Sequence, residues 1–190
     1  MNRAKKRHQK NLARKALKKK RGRPPQSPRQ TGSGVPVDKL LELAQKGLQL
    51  HQAGQLQEAE IVYRQILDIK PDFAEAHSNL GTVLQDLGRM DEAVASYHKA
   101  LAINPDYAEA HYNLGIAFQE LGRLEESVAS YQKALAIKPD YAETHNILGN
   151  ALQDLGKLDE AVASYHKALA IKPDHADALN NLGNVLKGLG

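Results

Sequence analysis

The stretch "NPDYAEAHYNLG" at residues 104–115 returns as "KPDFAEAHSNLG" at 70–81, as "KPDYAETHNILG" at 138–149 and, more loosely, as "KPDHADALNNLG" at 172–183. The spacing is strict. Pro71, Pro105, Pro139 and Pro173 stand 34 residues apart, as do Tyr63, Tyr97, Tyr131 and Tyr165. Two glycine series keep the same interval, one running from Gly47 to Gly183 and the other from Gly54 to Gly190. Four residue classes in one register make the period a structural unit.

Inside one period the apolar residues recur at helical spacing. Ala110, Leu114 and Phe118 mark one stripe, and Val128, Tyr131, Leu135 and Ile137 mark another. Asp106 follows the proline as a natural N-cap, with Glu109 three residues on to complete a capping-box-like pair. Gly122 is placed to stop the first helix and Pro139 the second, so each period reads helix–turn–helix. A glycine inside a helix costs about 0.5–1 kcal/mol relative to alanine, so Gly81, Gly115 and Gly149 predict a close approach by the paired helix.

This pattern closely resembles the tetratricopeptide repeat. Leu80, Gly81, Leu84, Ala93, Tyr97, Ala100 and Pro105 fall on that family's signature positions. Leu114, Gly115, Phe118, Tyr131, Ala134 and Pro139 do so in the next period, with Ser127 replacing an alanine. Leu148, Gly149, Leu152, Ala161, Tyr165, Ala168 and Pro173 follow. The family's first-helix tryptophan is replaced by His77, His111 and His145. The resemblance implies an all-α protein, a right-handed α-solenoid. Repeats are expected at 40–73, 74–107, 108–141 and 142–175, with a partial one at 176–190, all within an array spanning 37–190. Lys46, where other repeats have leucine, suits an exposed first repeat. Leu182 and Leu186 are expected to be exposed for want of a following helix, as in the N-terminal piece of a longer protein.

Charge divides the chain differently. Residues 1–37 hold 13 of the 26 Lys and Arg and none of the 22 Asp and Glu; the remainder carries 13 − 22 = −9. A basic arm, expected to be disordered over 1–36, thus precedes an acidic body. The absence of cysteine excludes disulfides and thiolate metal sites. No run of 18 apolar residues is present to span a membrane, and no apolar segment follows the basic N-terminus as in a signal peptide. A cytoplasmic protein without cofactors is the expectation; a mitochondrial presequence fits the lysine-heavy arm less well.

The resemblance implies that first helices line a concave groove. Gln45, Asn79, Asn113, Ile147 and Asn181 share one position there. An amide offers both donor and acceptor and so matches a peptide backbone. The row resembles the asparagine ladder of O-linked N-acetylglucosamine transferases, broken here by Ile147. That likeness implies either a scaffold gripping extended peptides or the substrate-recruiting part of a longer glycosyltransferase. Asp86, Glu120 and Asp154 stand near helix C-termini, where a carboxylate is disfavoured. They are expected either to make the groove acidic or to pair locally with Arg89, Arg123 and Lys157. Glu75, Glu109, Glu143 and Asp177 are explained by the local capping role. The same glutamates occupy positions where chaperone-tail clamps carry lysines, which argues against a carboxylate ligand. Packed helices lie about 8–10 Å apart, too far for His77, His111 and His145 to share a metal, so these are assigned to packing. No catalytic constellation emerges.

In the arm, Arg21-Gly22-Arg23-Pro24 is similar to the core of an AT-hook, whose arginines enter a narrow minor groove. The plainer alternative is a polycation, within residues 1–30, that binds nucleic acid weakly through counterion release. In a eukaryote, Lys5–Arg7 and Lys18–Arg21 would also read as a nuclear signal. The opposite charges of arm and body further suggest that the arm competes for the groove at low salt.

Overall fold

Every 34 residues the chain meets the same two stops, and the helices fall between them. The structure, a computed structural model, describes residues 37–189. The first helices of the successive repeats are α1 (Val37–Gln52), α3 (Ala74–Asp86), α5 (Ala108–Glu120), α7 (Ala142–Asp154) and α9 (Ala176–Leu189). The second helices are α2 (Leu56–Ile69), α4 (Met90–Ile103), α6 (Leu124–Ile137) and α8 (Leu158–Ile171). No strand occurs among the described residues.

Glycine stops each first helix by adopting a left-handed backbone, with φ of 72–78° at Gly54, Gly88, Gly122 and Gly156. The amide after it reaches back to the last turn, as in Arg89 N to Leu84 O at 2.9 Å and Arg123 N to Phe118 O at 2.8 Å. This is the glycine-terminated turn that satisfies otherwise orphaned helix carbonyls. Each second helix stops where the residue before proline turns extended, at Lys70, Asn104, Lys138 and Lys172.

The expected cap is not made. α5 begins at Ala108, Tyr107 is the capping residue, and no side chain bonds there. Asp106 sits one residue too early, in a turn closed by Tyr107 N to Asn104 O at 3.2 Å. Phe73 and Tyr141 likewise precede their helices without a side-chain cap.

The seam inside each repeat is glycine against tyrosine. A Cβ on Gly81, Gly115 or Gly149 would stand 2.6, 2.5 or 2.4 Å from a ring carbon of Tyr97, Tyr131 or Tyr165. All three rings are fully buried. Only a residue without a side chain lets the helices close to that distance, and burying such a ring contributes about 2 kcal/mol. The phenol then bonds back to the first helix: Tyr97 to Gln85 Oε1 at 3.1 Å, Tyr131 to Gln119 Oε1 at 3.0 Å and Tyr165 to Gln153 Oε1 at 3.0 Å.

Consecutive helices pack pairwise along the whole array, and the most extensive contacts between non-consecutive ones join α3 to α5 and α7 to α9. First helices therefore form the inner row of an α-solenoid and second helices the outer row. Ile137, expected in the buried stripe, is exposed. It follows Leu135 by two residues, about 200° round the helix. Lys46 is exposed as expected. Of the terminal pair, Leu186 is 48% exposed, whereas Leu182 is buried at 8%. Leu182 packs in a core cluster with Leu148, Ala151 and Leu152 of α7, which buries it.

Candidate binding surface

Along the inner row the predicted amides share a position but not a role. Gln45 is exposed on α1; Asn79 and Asn113 are half-buried on α3 and α5. Asn181 is occupied within the protein: its Nδ2 donates to Asn146 Oδ1 at 3.1 Å and Asn150 Oδ1 at 2.9 Å. Asn150 Oδ1 also lies 2.8 Å from the Tyr165 hydroxyl, whose one proton is shared between Asn150 and Gln153. Ile147 packs with Tyr112 and Ile116 of the preceding repeat against the same core. Asn181 and Ile147 thus each match the residues 31 and 35 positions behind them: amides behind Asn181, apolar side chains behind Ile147.

The carboxylates at the helix ends obey a similar rule. Asp86 Oδ2 accepts from His51 Nε2 at 2.8 Å, and Glu120 Oε1 accepts from Gln85 Nε2 at 3.0 Å. Both contacts span 35 residues and tie one first helix to the next. The local pairing expected with Arg89 and Arg123 is not what forms. Arg89 donates instead to Glu60 at 2.7 Å and Glu92 at 2.6 Å, and Arg123 donates to Glu126. Lys157 approaches Glu160 at 4.0 Å. These turn residues cap the following second helix, whose acidic first turn outcompetes a carboxylate at the end of the previous one. The bond from Arg89 and the charge beside it hold Glu92 below the usual carboxylate range, and Arg123 does the same for Glu126. Asp154 is exposed.

The charge of the wall follows. α3, α5 and α7 contain six carboxylates and no lysine or arginine. Glu109 and Glu143 are half-buried, Glu75 exposed, and Glu143 Oε2 lies 3.4 Å from His175 Nε2. Between them sequence reasoning missed an aromatic element. Tyr112 stacks on Tyr141 with centroids 5.3 Å apart, and Lys138 lies 4.1 Å over the Tyr141 ring. Burial pushes both phenols up from their ordinary range, with Glu143 adding to the effect. Tyr112 falls outside the repeated tyrosine series, so periodicity gave it no weight.

His77, His111 and His145 each place Nε2 on a backbone carbonyl, of Pro71, Pro105 and Pro139, at 2.9, 2.9 and 3.0 Å. Among the described residues no three His, Cys, Asp or Glu side chains gather to hold a metal, and no helix is long and apolar enough to cross a membrane. Arg21, Gly22 and Arg23 lie outside the described residues.

Family models described as tetratricopeptide repeat or TPR repeat match residues 47–88, 72–140, 130–163 and 149–190. They tile 47–190, and the chain belongs to the tetratricopeptide-repeat proteins. Among solved structures, it is similar to a crystal structure of MamA at 28% identity and TM-score 0.72, covering 76% of this chain and 84% of that one. A second crystal structure of MamA matches at 26% identity and TM-score 0.73, over 80% of this chain and 84% of that one. PilF of Pseudomonas aeruginosa matches at 25% identity and TM-score 0.74, over 80% and 69%. No curated protein matched by sequence.

Proposed function

We propose that this protein is an interaction scaffold that holds an extended, basic segment of a partner protein along its row of first helices. A tetratricopeptide array supports protein interaction in general. The observation that carries the finer reading is the charge of the wall: six carboxylates on α3, α5 and α7 with no lysine or arginine among them. Asn79 and Asn113 supply amides for a peptide backbone, and Tyr112, Ile116 and Ile147 supply apolar contact beside them. Gln45 extends the row toward α1, Asp86, Glu120 and Asp154 form its acidic edge, and Asn181 contributes by fixing Asn146 and Asn150. Exposed ion pairs contribute about 0.2–1 kcal/mol each, so specificity rests on several together.

The test uses the full chain and fluorescence anisotropy with a labelled Lys/Arg-rich extended peptide. Glu109→Gln, Glu120→Gln and Asp154→Asn combined should weaken binding about tenfold at low salt. Unchanged affinity would remove the acidic wall from the reading.

A further inference from the structure

Three turns join one repeat to the next with the same side-chain contact. The carbonyls of Pro71, Pro105 and Pro139 can only accept, so His77, His111 and His145 donate through Nε2–H. In the neutral ring that leaves Nδ1 as a bare acceptor. All three Nδ1 atoms are buried, and among the described residues none has a hydrogen-bond partner. A lone pair without a partner is tolerable there; a second N–H is costly, because a buried donor with no acceptor forfeits its hydration.

The surroundings sharpen this. A lysine of the following second helix is near each histidine: His77 lines a groove with Lys99, Lys133 acts on His111, and Lys167 acts on His145. Asp106 opposes this at His111, His98 adds to it, and Glu160 lines the groove that holds His145 and Lys167.

We infer that His111 and His145 are acid-sensitive latches on the joints between repeats, closed when neutral and opened by protonation. An imidazolium in either place can satisfy its new N–H only by swinging to water, which releases the proline carbonyl and frees the turn. Burial, the first cause, holds both rings below the ordinary histidine range, with the nearby lysines adding to it and the proline carbonyls opposing it. The sign follows. The folded protein resists the proton while the unfolded chain takes it near pH 6.5, so the latches contribute fully above that pH. Their contribution falls as pH drops through about 6.5 toward the lower folded value. In function this would make the spacing of repeats, and with it the inner wall, responsive to mild acid.

The test is made on the full chain by NMR titration of the histidine rings, with the same chain unfolded in urea as the reference. His111 and His145 should stay neutral to lower pH than histidine in the unfolded chain. A second measurement compares thermal midpoints at pH 7.5 and 5.5 in the wild type and in His111→Leu/His145→Leu, which adopts the leucine found in this register at Leu43 and Leu179. His51 and His175, which sit on carboxylates, are left in both proteins. The wild type should lose about 5 °C more than the variant. His111→Gln/His145→Gln, which can donate without titrating, should match the leucine variant in its weak pH dependence. Titration of both rings at or above the unfolded-chain histidine overturns the inference, and so does an equal acid loss in wild type and both variants. If the variants fail to fold, the ring titration decides alone.

Discussion

Gly149 on α7 and Gly183 on α9 occupy the same position of the repeat, and their surroundings differ completely. A Cβ on Gly149 would meet Tyr165 at 2.4 Å, whereas one on Gly183 would have nothing within 4 Å. The inner row shows the same contrast: Asn113 is half-buried at a position where Asn181 is bonded to two other amides. A letter of the repeat therefore has no fixed role. The helix that packs on it, or the residue one repeat behind, assigns the role.

The sharpest break of that comparison is a matched pair of substitutions. Gly149→Ala should destabilise by about 2 kcal/mol, since overpacking a filled contact costs about 1–3 kcal/mol. Gly183→Ala should stabilise by about 0.5–1 kcal/mol through helix propensity alone. Urea midpoints moving in opposite directions support the reading, and two losses of similar size would defeat it.

Tyrosine gives the next contrast. Tyr97 bonds to Gln85, but Tyr63 faces a repeat with His51 in the glutamine's place, and its buried hydroxyl has no partner among the described residues. Tyr97→Phe should cost about 1 kcal/mol, whereas Tyr63→Phe, which removes a buried hydroxyl without a partner, should stabilise by about 1 kcal/mol. Equal costs in thermal unfolding would mean that the phenol bond is not what separates the two repeats.

Smallest is the amide pair. Asn181→Ala should lower stability by about 1 kcal/mol through its two lost bonds, while Asn113→Ala stays within about 0.5 kcal/mol. In peptide binding the order should reverse, with Asn113→Ala the more damaging. A common effect in both assays would make the row uniform after all.

The seam could be read from sequence because packing constrains it identically in each closed repeat: Gly81 with Tyr97, Gly115 with Tyr131, Gly149 with Tyr165. The stops could be read because Gly122 and Pro139 act through their own backbone chemistry. The wall was less legible. Its contacts run 31–35 residues along the chain, as from Gln85 to Glu120 and from Asn181 to Asn150, at offsets that the 34-residue pattern does not mark. Asp106 misled because capping depends on a one-residue offset that spacing alone does not fix. Arg89 misled because two acidic helix ends compete for it, and only the geometry shows that Glu60 and Glu92 win.

Because each seam closes within its own repeat, the array is modular in length. Excision of residues 108–141 would join Tyr107 to Ala142 in the same register and leave the seams of the remaining repeats intact, as expected where units contact only their neighbours. What changes is the spelling of the wall. Ile147 would then face Ser78 and Thr82 instead of Tyr112 and Ile116. On the proposed function, repeat number would set how long a partner segment can be held, and repeat order the chemistry it meets.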